Sequence, residues 1–160
     1  DAARACDIAV LSVPYEAHDM TLESIKEAAQ GKILIDVTAP LDPGNKRKVR
    51  KIAAGSAGEE AQSFMGDGVK VVSAFQNVSY THLMNLGEAL QCDVLVCGND
   101  KTAKQQVIDL AKAAGMQAYD AGPIENSVVA EGLTAVLINI NIQLKIKNAG
   151  IQITGVPPEN

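Results

Sequence analysis

A chain of 160 residues, 47% hydrophobic and 21% charged, can close one domain around a full core. Its net charge of −5 gives bulk electrostatics no reason to hold nucleic acid. Aromatics make up 3% and tryptophan is absent, so the core must be aliphatic.

In chain order, Asp1 to Cys6 reads as the tail of a helix, and Asp7 to Val13 as a nearly continuous apolar strand ended by Pro14. Continuous rather than alternating apolarity predicts burial on both faces, as in a parallel sheet. Glu16 to Gln30 predicts a helix stopped by Gly31. Lys32 to Val37 is the next strand, running into Thr38-Ala39-Pro40. Strand, helix, strand is the unit of a doubly wound sheet.

Leu41 to Gly55 is irregular, with turn chemistry at Pro43-Gly44-Asn45. Five of the 14 basic residues fall in the six positions from Lys46 to Lys51. A solvated face is the preferred reading of this cluster, ahead of a patch for an anionic ligand tail. Ser56 with Glu59 forms a capping box that opens a helix to Met65.

Val69 to Ser79 (VKVVSAFQNVS) organises the chain. A β-branched strand opens into small, aromatic and amide residues, as expected at the carboxyl end of a strand in an open α/β sheet, where ligands bind. A plain strand end with an ordinary loop is the competing reading.

Tyr80 to Leu90 predicts a short helix, Asp93 to Cys97 a buried strand, Lys101 to Ala114 a helix and Met116 to Tyr119 a last short strand. Cys92 and Cys97 lie on opposite faces of the strand by alternation, so both read as core thiols. Pro123 introduces the longest helix, about Ile124 to Asn148. It has two apolar rows, one through Val129, Leu133, Val136/Leu137, Ile140 and Leu144, the other through Ala135, Ile138, Ile142 and Ile146. Two rows predict burial on two sides, most simply against a second copy. Asn139 and Gln143 read as an interface amide pair. Gly150 to Gly155 reads as a small terminal strand.

No apolar run is read as a membrane span, and Asp1-Ala2-Ala3-Arg4 is not a signal peptide. Three cysteines without a CxxC fit a reducing, cytoplasmic setting. The two histidines, His18 and His82, are far apart, so no metal site is expected. No Ser-His-Asp, Cys-His or paired-carboxylate constellation is visible, so no catalytic acid, base or nucleophile is assigned.

The expected architecture is α/β. It is the second half of a Rossmann-like, doubly wound, mainly parallel sheet with a long C-terminal helix. Residues 1–122 form the dinucleotide-binding part and residues 123–160 a helical dimerisation and substrate segment. No G-x-G-x-x-G occurs, so the glycine-rich first half is expected to lie outside this chain.

Four stretches carry a family resemblance: Ala5 to Pro14, Val71 to Phe75, Asp93 to Asp100, and Asp120 to Ser127 followed by Glu131 and Leu133-Thr134. In order and spacing they are similar to NADPH-dependent F420 reductases (F420:NADP oxidoreductases), whose N-terminal glycine-loop portion this chain lacks. The resemblance implies hydride transfer between NADP(H) and coenzyme F420 or a flavin-like acceptor, in a homodimer. It implies that Ser12, Val13 and Pro14 line the nicotinamide-ribose side, with Thr38, Ala39 and Pro40 nearby. It also implies that Phe75, Gln76, Asn77 and Val78 border the acceptor ring. Well-known archaeal members carry His-Thr where this chain has Gln76-Asn77. Two other readings stay open: an NADP-dependent reductase of a small carbonyl or imine compound, and a truncated dimerisation module. Pro14 and Pro40 read equally as strand terminators.

Overall fold

The computed structural model describes residues 2–84 and 91–157. Its elements are β1 (Ile8–Leu11), α1 (His18–Ile25), β2 (Ile33–Asp36), β3 (Leu41–Asp42), β4 (Asn45–Val49), α2 (Ala57–Met65), β5 (Lys70–Ser73), α3 (Tyr80–Leu83), β6 (Val94–Gly98), α4 (Lys101–Ala113), β7 (Ala118–Gly122) and α5 (Ser127–Leu144).

Five strands make one sheet in the order β1-β2-β5-β6-β7. β1, β2 and β5 run parallel, with Leu11, Asp36 and Ser73 in register at their last residues. β6 is antiparallel to β5, and β7 is parallel to β6. The sheet is therefore mainly parallel, as expected, with one reversal. Two aliphatic clusters cover it. Ile35, Val72, Val96, Val107 and Met116 pack on the α4 side, and Leu22, Leu34, Ala61, Met65 and Val71 pack on the α1–α2 side. Each fully buried Val, Leu, Ile or Met contributes about 1.5–3 kcal/mol.

Several expectations are corrected. β1 is not covered on both faces: Val10 is 55% exposed while Leu11 is buried, because the two alternate to opposite faces and it is Leu11's face that carries the α1–α2-side cluster. The 41–55 stretch is not irregular but begins with the β3–β4 hairpin. Asp42 Oδ1 accepts from the Gly44 and Asn45 amides and makes the turn. The hairpin escapes sequence reading because β4 is Asn-Lys-Arg-Lys-Val, polar up to its last residue, and gains its place by packing on α5. Its basic side chains are mostly exposed, which agrees with the solvated-face reading. No strand forms at 150–155; instead the Ile151 carbonyl accepts from the Asp93 amide and the Ile153 amide donates to Asp93 Oδ2.

The α2 start is as expected. Ser56 Oγ accepts from the Glu59 amide at 3.0 Å and donates to Glu59 Oε2 at 2.9 Å. Of the helix expected over Tyr80 to Leu90, Tyr80–Leu83 is helical, and positions 85–90 lie outside the described residues. The long C-terminal helix is present but shorter than expected. A 3₁₀ turn, Ile124–Asn126, leads into α5, which ends where Lys145 takes a left-handed conformation. Ile124–Leu144, at 21 residues and mean hydropathy 1.4, is long and apolar enough to cross a membrane by length and composition alone. This differs from the expectation that no such run exists: Glu131, Asn139 and Asn141 break the apolar run, but the aliphatic residues around them keep the average high.

Candidate functional site

Because β1, β2 and β5 are parallel and in register, the segments that continue from them emerge at one sheet edge. There Ser12-Val13-Pro14, Thr38-Ala39-Pro40 and Phe75-Gln76-Asn77-Val78 come together. Two cavities open along this edge.

The first, about 190 Å³, is lined by Val13, Pro14, Tyr15, Glu16, Val37, Thr38, Ala39, Leu41 and Lys46. Four of the six expected cofactor residues line it: Val13, Pro14, Thr38 and Ala39. Ser12 is exposed and Pro40 buried, and neither is in the lining. Pro40 is instead held in the fold, its carbonyl accepting from the Arg50 amide at 2.9 Å. The Thr38 hydroxyl is buried and has no hydrogen-bond partner among the described residues. A buried hydroxyl of that kind costs free energy until something pairs with it.

The second cavity, about 390 Å³, is lined by Gln76, Asn77, Val78, Ser79, Tyr80, Thr134, Leu137, Ile138, Asn141, Lys147 and Ala149. Of the four expected acceptor residues, Gln76, Asn77 and Val78 are in its wall. Phe75 is not; it packs on the α4-side core with Ile8 and Val37. Its φ of 70° is in the left-handed region, rare for an aromatic residue. This backbone twist accompanies the inward turn of Gln76 and Asn77.

The two amides act on the protein itself. Gln76 Nε2 donates to the Asp36 carbonyl at 2.9 Å and to Ser73 Oγ at 2.7 Å. Asn77 Nδ2 donates to the Ala130 carbonyl at 2.9 Å and to Thr134 Oγ1 at 3.3 Å, and the Thr134 hydroxyl donates back to the Gln76 carbonyl. Their donor hydrogens thus weld the β5 loop to β2 and α5. Asp36, the last residue of β2, links the two cavities. Its carbonyl holds Gln76, its Oδ1 accepts from the Thr38 amide, and its Oδ2 pairs with His18 Nε2 at 2.8 Å.

α5 is locked onto α2 by Glu131. This buried carboxylate accepts from the Ala57 and Gly58 amides at 2.9 and 3.0 Å, at the positive end of α2. Burial outweighs those bonds and pushes its pKa up to about 7. The approach is close at Gly58, where a Cβ would meet Ser127 Oγ at 3.0 Å and Ile124 Cδ1 and Ser73 Cβ at 3.1 Å, so a larger residue would have to displace its neighbours by a few tenths of an ångström. Cys92 and Cys97 are buried free thiols, Cys97 pushed up to about 11 by burial, and both remain protonated core residues.

Sequence reading missed the buried His18–Asp36 pair, Asn141 and Lys147. A buried Asp at a strand end was a signal for the first. Nothing local points to the other two, which reach the cavity through the fold.

A model described as "NADP oxidoreductase coenzyme F420-dependent" matches residues 1–40. The chain is 40% identical to the F420-dependent NADP reductase of Methanothermobacter marburgensis, over 98% of this chain and 72% of that protein. It is 41% identical to the F420-dependent NADP reductase of Methanocaldococcus jannaschii, over 98% of this chain and 71% of that one. A crystal structure of a putative F420-dependent NADP reductase from Arthrobacter sp. FB24 superposes with a TM-score of 0.85 at 27% identity, covering 95% of this chain and 71% of that chain. With identity of this level spread along nearly its whole length, the chain belongs to the F420-dependent NADP reductase family.

Proposed function

We propose that this protein is an oxidoreductase that transfers hydride between NADP(H) and coenzyme F420. The observation that carries the reading is the pairing of two cavities at one strand-end edge, joined through Asp36, in a chain about 40% identical to reductases of that name. The nicotinamide side is assigned to Val13, Pro14, Thr38 and Ala39, with Ser12 and Pro40 flanking. The unpaired Thr38 hydroxyl fits a ribose or carboxamide group. The acceptor side is assigned to Gln76, Asn77 and Val78, with Phe75 behind them. Val78, Leu137 and Ile138 offer apolar surface to a flat ring, and Lys147 offers a cation to an anionic tail.

The reacting rings supply the hydride chemistry when bound. The protein's part is to hold them at near-attack separation and keep water out. The rigid network through Gln76, Asn77 and Thr134 suits that task, and no side-chain acid or base is required of it.

We further assign residues 123–160 to dimerisation and the acceptor side, attached to the dinucleotide-binding part at 1–122. Val129, Val136, Ile142 and Leu144 stand exposed on α5, an apolar face suited to a second copy. Three free cysteines fit a reducing, cytoplasmic setting.

The test uses a protein in which this chain is joined to a glycine-rich dinucleotide-binding half, mixes it with NADPH and, separately, F420, free flavin or a cyclic imine, and follows NADPH absorbance. Oxidation that depends on F420 is expected. Turnover with the imine and none with F420 overturns the assignment.

A further inference from the structure

We propose that His18, Asp19 and Glu60 form a binding site for a divalent cation of the zinc class, tying α1 to α2 beside the nicotinamide cavity. This proposal stands apart from the hydride-transfer reading and uses none of its residues for chemistry.

Three observations meet here. First, the His18 side chain is fully buried, and its Nδ1 has no hydrogen-bond partner among the described residues. Second, that nitrogen faces two carboxylates, Glu60 Oε2 at 3.5 Å and Asp19 Oδ1 at 3.6 Å, and the three atoms lie within 4.8 Å of one another. These separations are too long for good hydrogen bonds. They match the spacing of two ligands on a tetrahedral ion, about 3.3 Å apart when each bond is near 2.0–2.1 Å. Third, the other ring nitrogen, Nε2, is 2.8 Å from the buried Asp36 carboxylate. A histidine that ligates a metal regularly donates its other N–H to a carboxylate, which fixes the tautomer and aims the free lone pair at the ion. In the neutral ring that bond leaves the lone pair on Nδ1, on the side of Asp19 and Glu60.

The surroundings complete the arrangement. Tyr15 stacks on the His18 ring at 5.7 Å between centroids and donates its hydroxyl to Glu60 Oε2 at 2.9 Å. Asp19 has an 81% exposed side chain, so it can swing to close the third edge, and solvent can supply a fourth ligand. One nitrogen and two carboxylates favour zinc or cobalt over magnesium, which prefers an octahedral oxygen shell. A pair of histidines is not needed, which is why the wide separation of His18 and His82 in sequence does not bear on this site.

The experiment uses the full chain, stripped with chelator and titrated with Zn²⁺ by calorimetry. Thermal melts with and without Zn²⁺ and Co²⁺ visible spectra are recorded in parallel. Expected are saturable one-site binding, a zinc-dependent rise in Tm, and the visible bands of a low-coordinate cobalt ion. Asp19→Asn and Glu60→Gln should each weaken zinc binding at least about tenfold, and Asp36→Asn about 10- to 100-fold. Asp19 is exposed, so its variant tests the site even if changes at His18 impair folding. Absence of zinc binding and of any Tm shift overturns the proposal. So does affinity unchanged in both carboxylate variants, which would put the metal on a cysteine or on His82.

Discussion

At the residue scale, the amides at the edge are positioning groups. Asn77→Ala removes the donor that satisfies the Ala130 carbonyl and Thr134. We expect a stability loss of about 0.5–1.5 kcal/mol from the lost hydrogen bond, since Thr134 still bonds the Gln76 carbonyl. The acceptor wall loosens with it, so single-turnover hydride transfer to F420 should slow by up to roughly 100-fold, with NADPH affinity nearly unchanged. An unaltered rate would mean that the loop needs no anchor to α5. Lys145 gives a second residue-scale prediction. It holds a left-handed conformation at φ 56° where α5 ends, and the Ile146 amide closes the turn onto the Asn141 carbonyl. Glycine has no Cβ to clash there, although it gives up more chain entropy on folding. Lys145→Gly should therefore stabilise by about 1 kcal/mol, seen as a raised urea midpoint. A lowered midpoint would show that the lysine side chain itself holds the turn.

At the element scale, the joint between α2 and α5 rests on a carboxylate that burial has made a weaker acid. The Glu131 pKa rises from 4.5 in an ordinary setting to about 7 in the fold. The folded state therefore binds more protons than the unfolded chain between those values. Its contribution is complete below about pH 4.5 and declines as pH rises through about 7, beyond which it changes no further. Urea unfolding across pH 4 to 8 should show this downward slope in the native protein and lose it in Glu131→Gln. Above about pH 7, where Glu131 is ionised, the glutamine also lacks its second acceptor oxygen, at a further cost of about 1–3 kcal/mol. Identical slopes in the two proteins would show that Glu131 titrates as it does in the unfolded chain.

At the scale of the whole molecule, α5 has more apolar surface than this chain covers. Its buried residues are Ser127, Ala130, Glu131, Ala135 and Leu137, while Val129 is 63% and Ile142 is 56% exposed. Of the two rows read from the sequence, neither is covered along its length. A second copy would bury them, and Ile142→Glu would place an unpaired charge in that interface at a cost of several kcal/mol. Light scattering should then report a monomer or an aggregate in place of a dimer. A normal dimer would turn the helix face to some other use.

The alternation of strands and helices, the parallel run of β1, β2 and β5 and the capping box at Ser56 were legible in the sequence, whereas the helix expected to run from Glu16 to a stop at Gly31 spans only His18–Ile25. Each arises from contacts between residues a few positions apart, or from the apolar content a covered strand must have. That the three strand-end segments meet at one sheet edge was also legible, since parallel strands end on the same side. Tertiary structure alone decided the rest. The direction of β6 depends on which edge of β5 it meets, and a strand's own pattern does not record that. The polar β4 became a strand because α5 supplied a surface for it. The φ of Phe75 is imposed by its neighbours Gln76 and Asn77, which are drawn inward to partners 40 and 53 residues away. His18 met Asp36, and Glu131 met the start of α2, because buried polar groups must find partners wherever the folded chain offers them. Local sequence carries no information about those distances, so these contacts, which shape both cavities, emerge only in the fold.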